Sequence, residues 1–181
     1  RGPMIGRAVT QFIDDVAWGE LDYLIVDLPP GTGDVVLTLS QSIPLSGAVV
    51  VSTPQDVAFA DVQRAIRMFR MLKVDVAGLV ENMAFFVCPD NNKTYWIFGQ
   101  SRTAEHCAKH ELKLLGTLPI ELAVSPHADA GRPMVAAEPD SAHAALYNKL
   151  AGHTVKRLAV LDHQRAQGPD HAAFFAAAPN S

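Results

Sequence analysis

The sequence has little cysteine, no sustained apolar run and no surplus of basic charge. Two cysteines, Cys88 and Cys107, among 181 residues cannot build a disulfide framework, so a reducing compartment is expected. No stretch approaches the roughly 20 apolar residues of a membrane-spanning helix, and no membrane partner is expected. Lysine and arginine total 15 against 19 acidic residues, a formal charge of −4. Nucleic-acid binding needs a clustered basic face, so nucleic acid is not an expected partner either. The seven histidines form no H-x-x-H or H-E-x-x-H pattern, which argues against a histidine-built metal site. Also missing is the motif G-x-x-x-x-G-K-S/T, the loop whose backbone N–H groups and lysine cradle phosphates.

What is present is a hydrophobic half, 49% of the residues, enough for a real core. Its pattern alternates. Met4–Val16 carries apolar residues at helical spacing, and Tyr23–Asp27 reads as a first buried strand. Asp34 is placed to cap a helix that Pro44 closes. Gly47–Ser52 reads as a second buried strand, and Asp56 as the cap of a longer helix with Val57, Val62, Ile66 and Phe69 on one face. Val74–Val80 is a third strand, ending in Glu81-Asn82. Phe85–Phe98 resembles a hairpin with turn chemistry in Pro89-Asp90-Asn91-Asn92. Thr103–His110 reads as a short helix, Leu112–Leu118 as a fourth strand and Ser141–Leu161 as a last helix. Continuous apolar strands alternating with helices predict an α/β fold, a mostly parallel sheet covered on both faces. Residues 163–181 lose this periodicity and read as a flexible tail.

The segment with most chemistry is Asp22-Tyr-Leu-Ile-Val-Asp-Leu-Pro-Pro-Gly-Thr-Gly-Asp34. It places a carboxylate, Asp27, at the expected C-terminal tip of a buried strand, where open α/β sheets bind ligands. Further segments follow in order: Leu37-Thr-Leu39, Val51-Ser-Thr-Pro-Gln-Asp56, Glu81-Asn-Met83, Cys88-Pro89, Ile97-Phe-Gly99, Leu115-Gly-Thr-Leu-Pro119 and Gly131-Arg-Pro133. No one of these is decisive. As an ordered set, from Arg1 to about Leu161, they closely resemble the Mrp-type ATPases, iron–sulfur cluster carrier proteins related to MinD and ParA.

That resemblance implies roles. Asp27 would hold Mg²⁺ through water, offsetting phosphate charge. Gly31, Gly33 and Asp34 would form the switch loop that senses the γ-phosphate, because glycines admit backbone N–H groups close to an anion. Asn82 would read adenine with an amide that both donates and accepts, and Pro119 would begin the loop beside the base. Cys88 would ligate an iron–sulfur cluster, of 4Fe–4S type in the family, bridging a homodimer that serves apo iron–sulfur client proteins. ATP, Mg²⁺ and the cluster are the implied cofactors. The implied compartment is the cytoplasm, or alternatively mitochondrion or plastid.

Two departures qualify the resemblance. The family's phosphate loop lies in its N-terminal half, so residues 1–162 look like the C-terminal part of a P-loop ATPase domain, with a hairpin insertion near 84–98. On its own this chain is expected to bind ATP weakly or not at all, and its sheet to expose an unpaired edge. The family's C-x-x-C reads Cys88-Pro89-Asp90-Asn91 here, so Asn91 stands where the second thiolate would be. Cys107 matches no ligand of the family and reads as a buried small residue. The alternatives are a MinD/ParA-like regulatory ATPase without a cluster, and an inactive fragment.

Overall fold

The computed structural model describes residues 2–28 and 33–167, with side chains from residue 6 onward. Its centre is a parallel sheet of three strands, β1 (Ala48–Ser52), β2 (Val76–Glu81) and β5 (Leu114–Thr117), in the order β1–β2–β5. Val50 lies beside Leu79 and Ser52 beside Glu81, while Glu81 lies beside Thr117. All three strands therefore end together at one edge.

Parallel neighbours need crossovers. Helix α3 (Asp56–Met71) joins β1 to β2, and α4 (Thr103–Lys109) precedes β5. Helix α3 repeats apolar residues at steps of three and four, and Phe59, Val62, Ile66 and Phe69 are buried. Strand side chains alternate between faces. Leu79 packs with Val50, Phe59, Ile66 and Cys107 on the α3 side. Val80 packs with Leu115, Leu118 and, from α7 (Ala142–Ala166), Leu146 and Leu150 on the other. The expected α/β sheet with helices on both faces is the one observed.

Before β1 come α1 (Gly2–Asp14) and α2 (Gly33–Ser42). A two-stranded antiparallel hairpin, β3 (Phe86–Val87) with β4 (Thr94–Tyr95), occupies the stretch between β2 and α4. Two short helices, α5 (Val124–Asp129) and α6 (Met134–Ala137), lead from β5 to α7.

Several expectations need correction. Tyr23–Asp27 is not a strand: it runs as coil, and Ile25 is 90% exposed. A strand exists only through a neighbour's ladder, and among the described residues this segment has none. Strand β1 is apolar as far as Val51, yet Val49 and Val51 are exposed at 42% and 58%, so it is not buried on both faces. Neither Asp34 nor Asp56 is a cap. Helix α2 begins at Gly33, and the N-cap of α3 is Gln55, whose side chain makes no capping bond. The last helix does not end at Leu161. It continues to Ala166 because Arg165 donates to the carbonyls of Leu45 and Ser46, at 3.2 and 2.5 Å, and pairs with Asp162 at 2.8 Å. Of the residues expected to form a tail, 163–166 are therefore helical, and residues 168–181 lie outside the described residues.

Candidate functional site

The common edge at which β1, β2 and β5 end is where a parallel sheet presents a ligand site. Strand β2 delivers Asn82 there. Its backbone N–H donates to the Ser52 carbonyl at 2.7 Å, fixing it against the end of β1. Its side-chain Oδ1 accepts from the Met83 N–H at 3.0 Å, in a turn where Met83 takes a positive φ of 55°. Strand β5 delivers Pro119. The Leu118 N–H donates to the Glu81 carbonyl at 2.8 Å, and the Ala84 N–H returns to the Leu118 carbonyl at 3.0 Å. Asn82 and Pro119, far apart in sequence, are thus brought to one edge and are both half-buried.

The other expected nucleotide residues do not join them. Asp27 is exposed in coil rather than held at a strand tip. Gly31 lies outside the described residues. Gly33 opens α2, where a Cβ would meet the Met68 sulfur at 3.5 Å. Asp34, exposed in the first turn of α2, lines an open cleft of about 700 Å³ between α1 and α2, with Gly6, Arg7 and Thr38. Neither Asn82 nor Pro119 borders that cleft. Among the described residues no three His, Cys, Asp or Glu side chains converge as metal ligands; the water-mediated Mg²⁺ role expected of Asp27 needs only one carboxylate beside bound phosphates.

The two cysteines differ sharply. Cys88 is half-buried at the end of β3. Its N–H donates to the Lys93 carbonyl at 2.9 Å, and its own carbonyl accepts from the Asn92 N–H at 2.8 Å, closing the turn. Asn91, exposed, is committed to that turn: its Oδ1 accepts from the Lys93 N–H at 2.9 Å. On the hairpin that carries Cys88, Val87 and Tyr95 are exposed, and so are Trp96 and Ile97 just after it; the register, Phe86 beside Tyr95 and Val87 beside Thr94, puts Val87 and Tyr95 on opposite faces. Cys107 is 5% exposed within the α3-side core. Burial, and secondarily the charge of Glu81, pushes its thiol above the ordinary range, so it is an inert packing residue.

One residue that sequence reasoning passed over also sits here. Glu81, the last residue of β2, is 2% exposed, and its carboxyl accepts from Ser101 and Thr103. The available signal was a lone charge ending an otherwise apolar strand.

Comparisons with known proteins bear on the chain as a whole. Residues 1–155 match the ParA-group model described as the NUBPL iron-transfer P-loop NTPase. The chain belongs to that family. It is 49% identical over 151 residues to an iron–sulfur cluster carrier protein of Aquifex aeolicus, covering 83% of this chain and 42% of that protein. An Arabidopsis thaliana mitochondrial iron–sulfur protein required for NADH dehydrogenase is 48% identical over 158 residues, covering 87% of this chain and 50% of that one. Among solved structures, an Archaeoglobus fulgidus nucleotide-binding protein in complex with ADP superposes with a TM-score of 0.63 at 43% identity, over 71% of this chain and 53% of that one. The chain spans about half the length of the curated family members it matches.

Proposed function

We propose that this chain is the base-binding and cysteine-bearing part of an ATP-dependent iron–sulfur cluster carrier, working as a homodimer. The observation that carries the reading is the strand-end edge where Ser52, Glu81 and Leu118 hold Asn82 beside Pro119. Asn82 offers an amide to the edge of adenine, and Pro119 starts the loop against which the base lies. Gly31, Gly33 and Asp34 form the switch near the terminal phosphate once an additional segment covers the exposed apolar run Tyr23–Val26. Asp27 then lies at the tip of a completed strand.

The cluster is cargo. Thiolates are the soft, anionic ligands that iron–sulfur clusters take, and the half-buried Cys88 thiol sits on a hairpin whose Val87 and Tyr95 are exposed, in reach of a second copy. Two copies supply two thiolates, leaving iron positions that client cysteines can complete. A labile cluster is what a carrier requires. The compartment follows the relatives, which include bacterial proteins and a mitochondrial one.

A second reading, a regulatory ATPase without a cluster, is favoured by Asn91 at the second cysteine position. Anaerobic reconstitution with iron and sulfide separates the two. The carrier reading expects cluster absorption in the wild type and its loss in Cys88→Ala. Absorption that survives Cys88→Ala removes Cys88 as a ligand, and none in the wild type favours the regulatory reading. For the 181-residue chain alone, no more than marginal ATP-dependent thermal stabilisation is expected.

A further inference from the structure

The stretch that carries Cys88 leaves the sheet after Asn82 and comes back at Ser101. Its outgoing limb is tied to the loop after β5 by backbone bonds. The Ala84 N–H donates to the Leu118 carbonyl at 3.0 Å, and the Ile120 N–H donates to the Phe85 carbonyl at 2.7 Å. Its returning limb is held differently. The Ser101 hydroxyl donates to Glu81 Oε1 at 2.5 Å, across 20 residues of sequence, and the Thr103 hydroxyl donates to the same oxygen at 2.5 Å. Ser101 Oγ also accepts from the Thr103 N–H at 3.2 Å, joining the three groups. Nearby, Arg102 pairs with Asp56 at 3.2 Å with both side chains more than half exposed, a geometry that contributes little, and further along α4 His106 reaches Asp56 at 3.2 Å and stacks on Phe59.

Burying a carboxyl group at the end of an apolar strand is costly unless its oxygens are hydrogen-bonded. An apolar residue of similar size would fill the same space at no such cost. The carboxyl is therefore explained by what it holds and not by packing. It holds the base of the excursion shut, one residue from Asn82.

We propose that Glu81 is the positioning residue of the Cys88 hairpin: its carboxyl latches the returning limb to the end of β2, so that the base-reading Asn82 and the thiol of Cys88 are fixed to one point. The roles of Asn82 and Cys88 rest on the function proposed above; the latch itself does not. Loosening the latch frees the thiol without disturbing the sheet.

The test is amide hydrogen exchange of the 181-residue chain, read by mass spectrometry, together with the alkylation rate of Cys88 by iodoacetamide. Glu81→Ala and Ser101→Ala should speed exchange across 96–101 by about tenfold, the effect of losing a hydrogen bond to a charged group, and alkylation of Cys88 should accelerate with it. Glu81→Gln, which keeps an oxygen acceptor, should stay near wild type, and amides of β1 and α3 should be unchanged in all three. Exchange that rises equally everywhere, or a returning limb that exchanges at the wild-type rate in Ser101→Ala, overturns the latch. Should Glu81→Ala not fold, Ser101→Ala with Glu81→Gln decides the matter. These readouts need neither nucleotide nor cluster. A wild type that takes up no iron–sulfur cluster therefore counts against the proposed function and leaves the latch to be judged on exchange alone.

Discussion

Two glycine-to-alanine substitutions in this chain should have opposite signs, and the structure says why. At Gly78, in the middle of β2, an added Cβ would lie 2.4 Å from the Lys113 carbonyl oxygen and 2.7 Å from Leu115 Cγ. Non-bonded heavy atoms are comfortable at about 3.5 Å, so β2 and β5 must move apart by about 1 Å. The obstacle is backbone, which cannot rotate away. That same oxygen accepts from the Leu79 N–H at 2.8 Å, so retreat also strains a ladder bond worth about 1 kcal/mol. Overpacking adds about 1–3 kcal/mol, for a total near 2–4 kcal/mol. A domain of this size shifts by roughly 2–4 °C per kcal/mol, so Gly78→Ala should lower Tm by about 5–15 °C. Gly152 in α7 has nothing within 4 Å of its added Cβ beyond its own helix. Alanine there removes backbone freedom from the unfolded chain and stabilises by about 0.5–1 kcal/mol, raising Tm by a few degrees. Thermal melts followed by circular dichroism, checked by urea unfolding at constant m, measure both. A Gly78→Ala loss under about 1 kcal/mol, or a drop in both variants, would refute the claim that close strand approach dictates the glycine.

Two further outcomes are expected. Ser141 is the N-cap of α7, its Oγ accepting from the Ala144 N–H at 3.1 Å; Ser141→Ala should cost about 1 kcal/mol, seen as a lower urea midpoint, whereas Ser141→Asp should retain the stability. The pKa of His110 is held below the ordinary imidazole value, mainly by burial and then by the charges of Lys109, His106, Arg70 and Arg67. Its Nε2 accepts from Gln63 at 3.2 Å, a bond that protonation removes. Because the folded pKa is the lower one, the unfolded chain takes the proton first. Stability should therefore fall as pH drops through about 6.5, levelling off below the folded value. In His110→Gln the urea midpoint should vary less over that window, and an unchanged pH slope would count against the assignment.

What could be read ahead of the structure divides along a physical line. Where an element's stability comes from its own neighbours in sequence or from a partner within the chain, the pattern sufficed. Helix α3 shows its buried face every three to four residues, and β2 its apolar run, because both meet their partners here. Tyr23–Asp27 has the same apolar signature as β2 and yet is coil, with Ile25 90% exposed. Apolar periodicity reports what a segment can bury, whereas a ladder requires a partner that periodicity does not reveal. Helix ends followed the same logic: α7 outruns its apolar stripe because Arg165 reaches the Leu45 and Ser46 carbonyls about 120 residues away, a bond with no local signature. Helices α5 and α6 were missed because each is at most six residues long, too short for a helical period to register; His127 on α5 meets Glu138 just past α6 at 3.0 Å only in three dimensions. The candidate site divides in the same way. Asn82 and Pro119 follow strands that pair, so both reach one edge, but the resemblance and not the pattern singled them out. Asp27 depends on a strand that does not pair here, and its position fails with that strand. The proposed switch around Asp27 is therefore contingent on a partner for Tyr23–Val26, while the Asn82–Pro119 edge and the Cys88 hairpin are held by contacts this chain makes by itself. That asymmetry makes the hairpin, latched through Glu81, the part of the proposed mechanism that can be measured first.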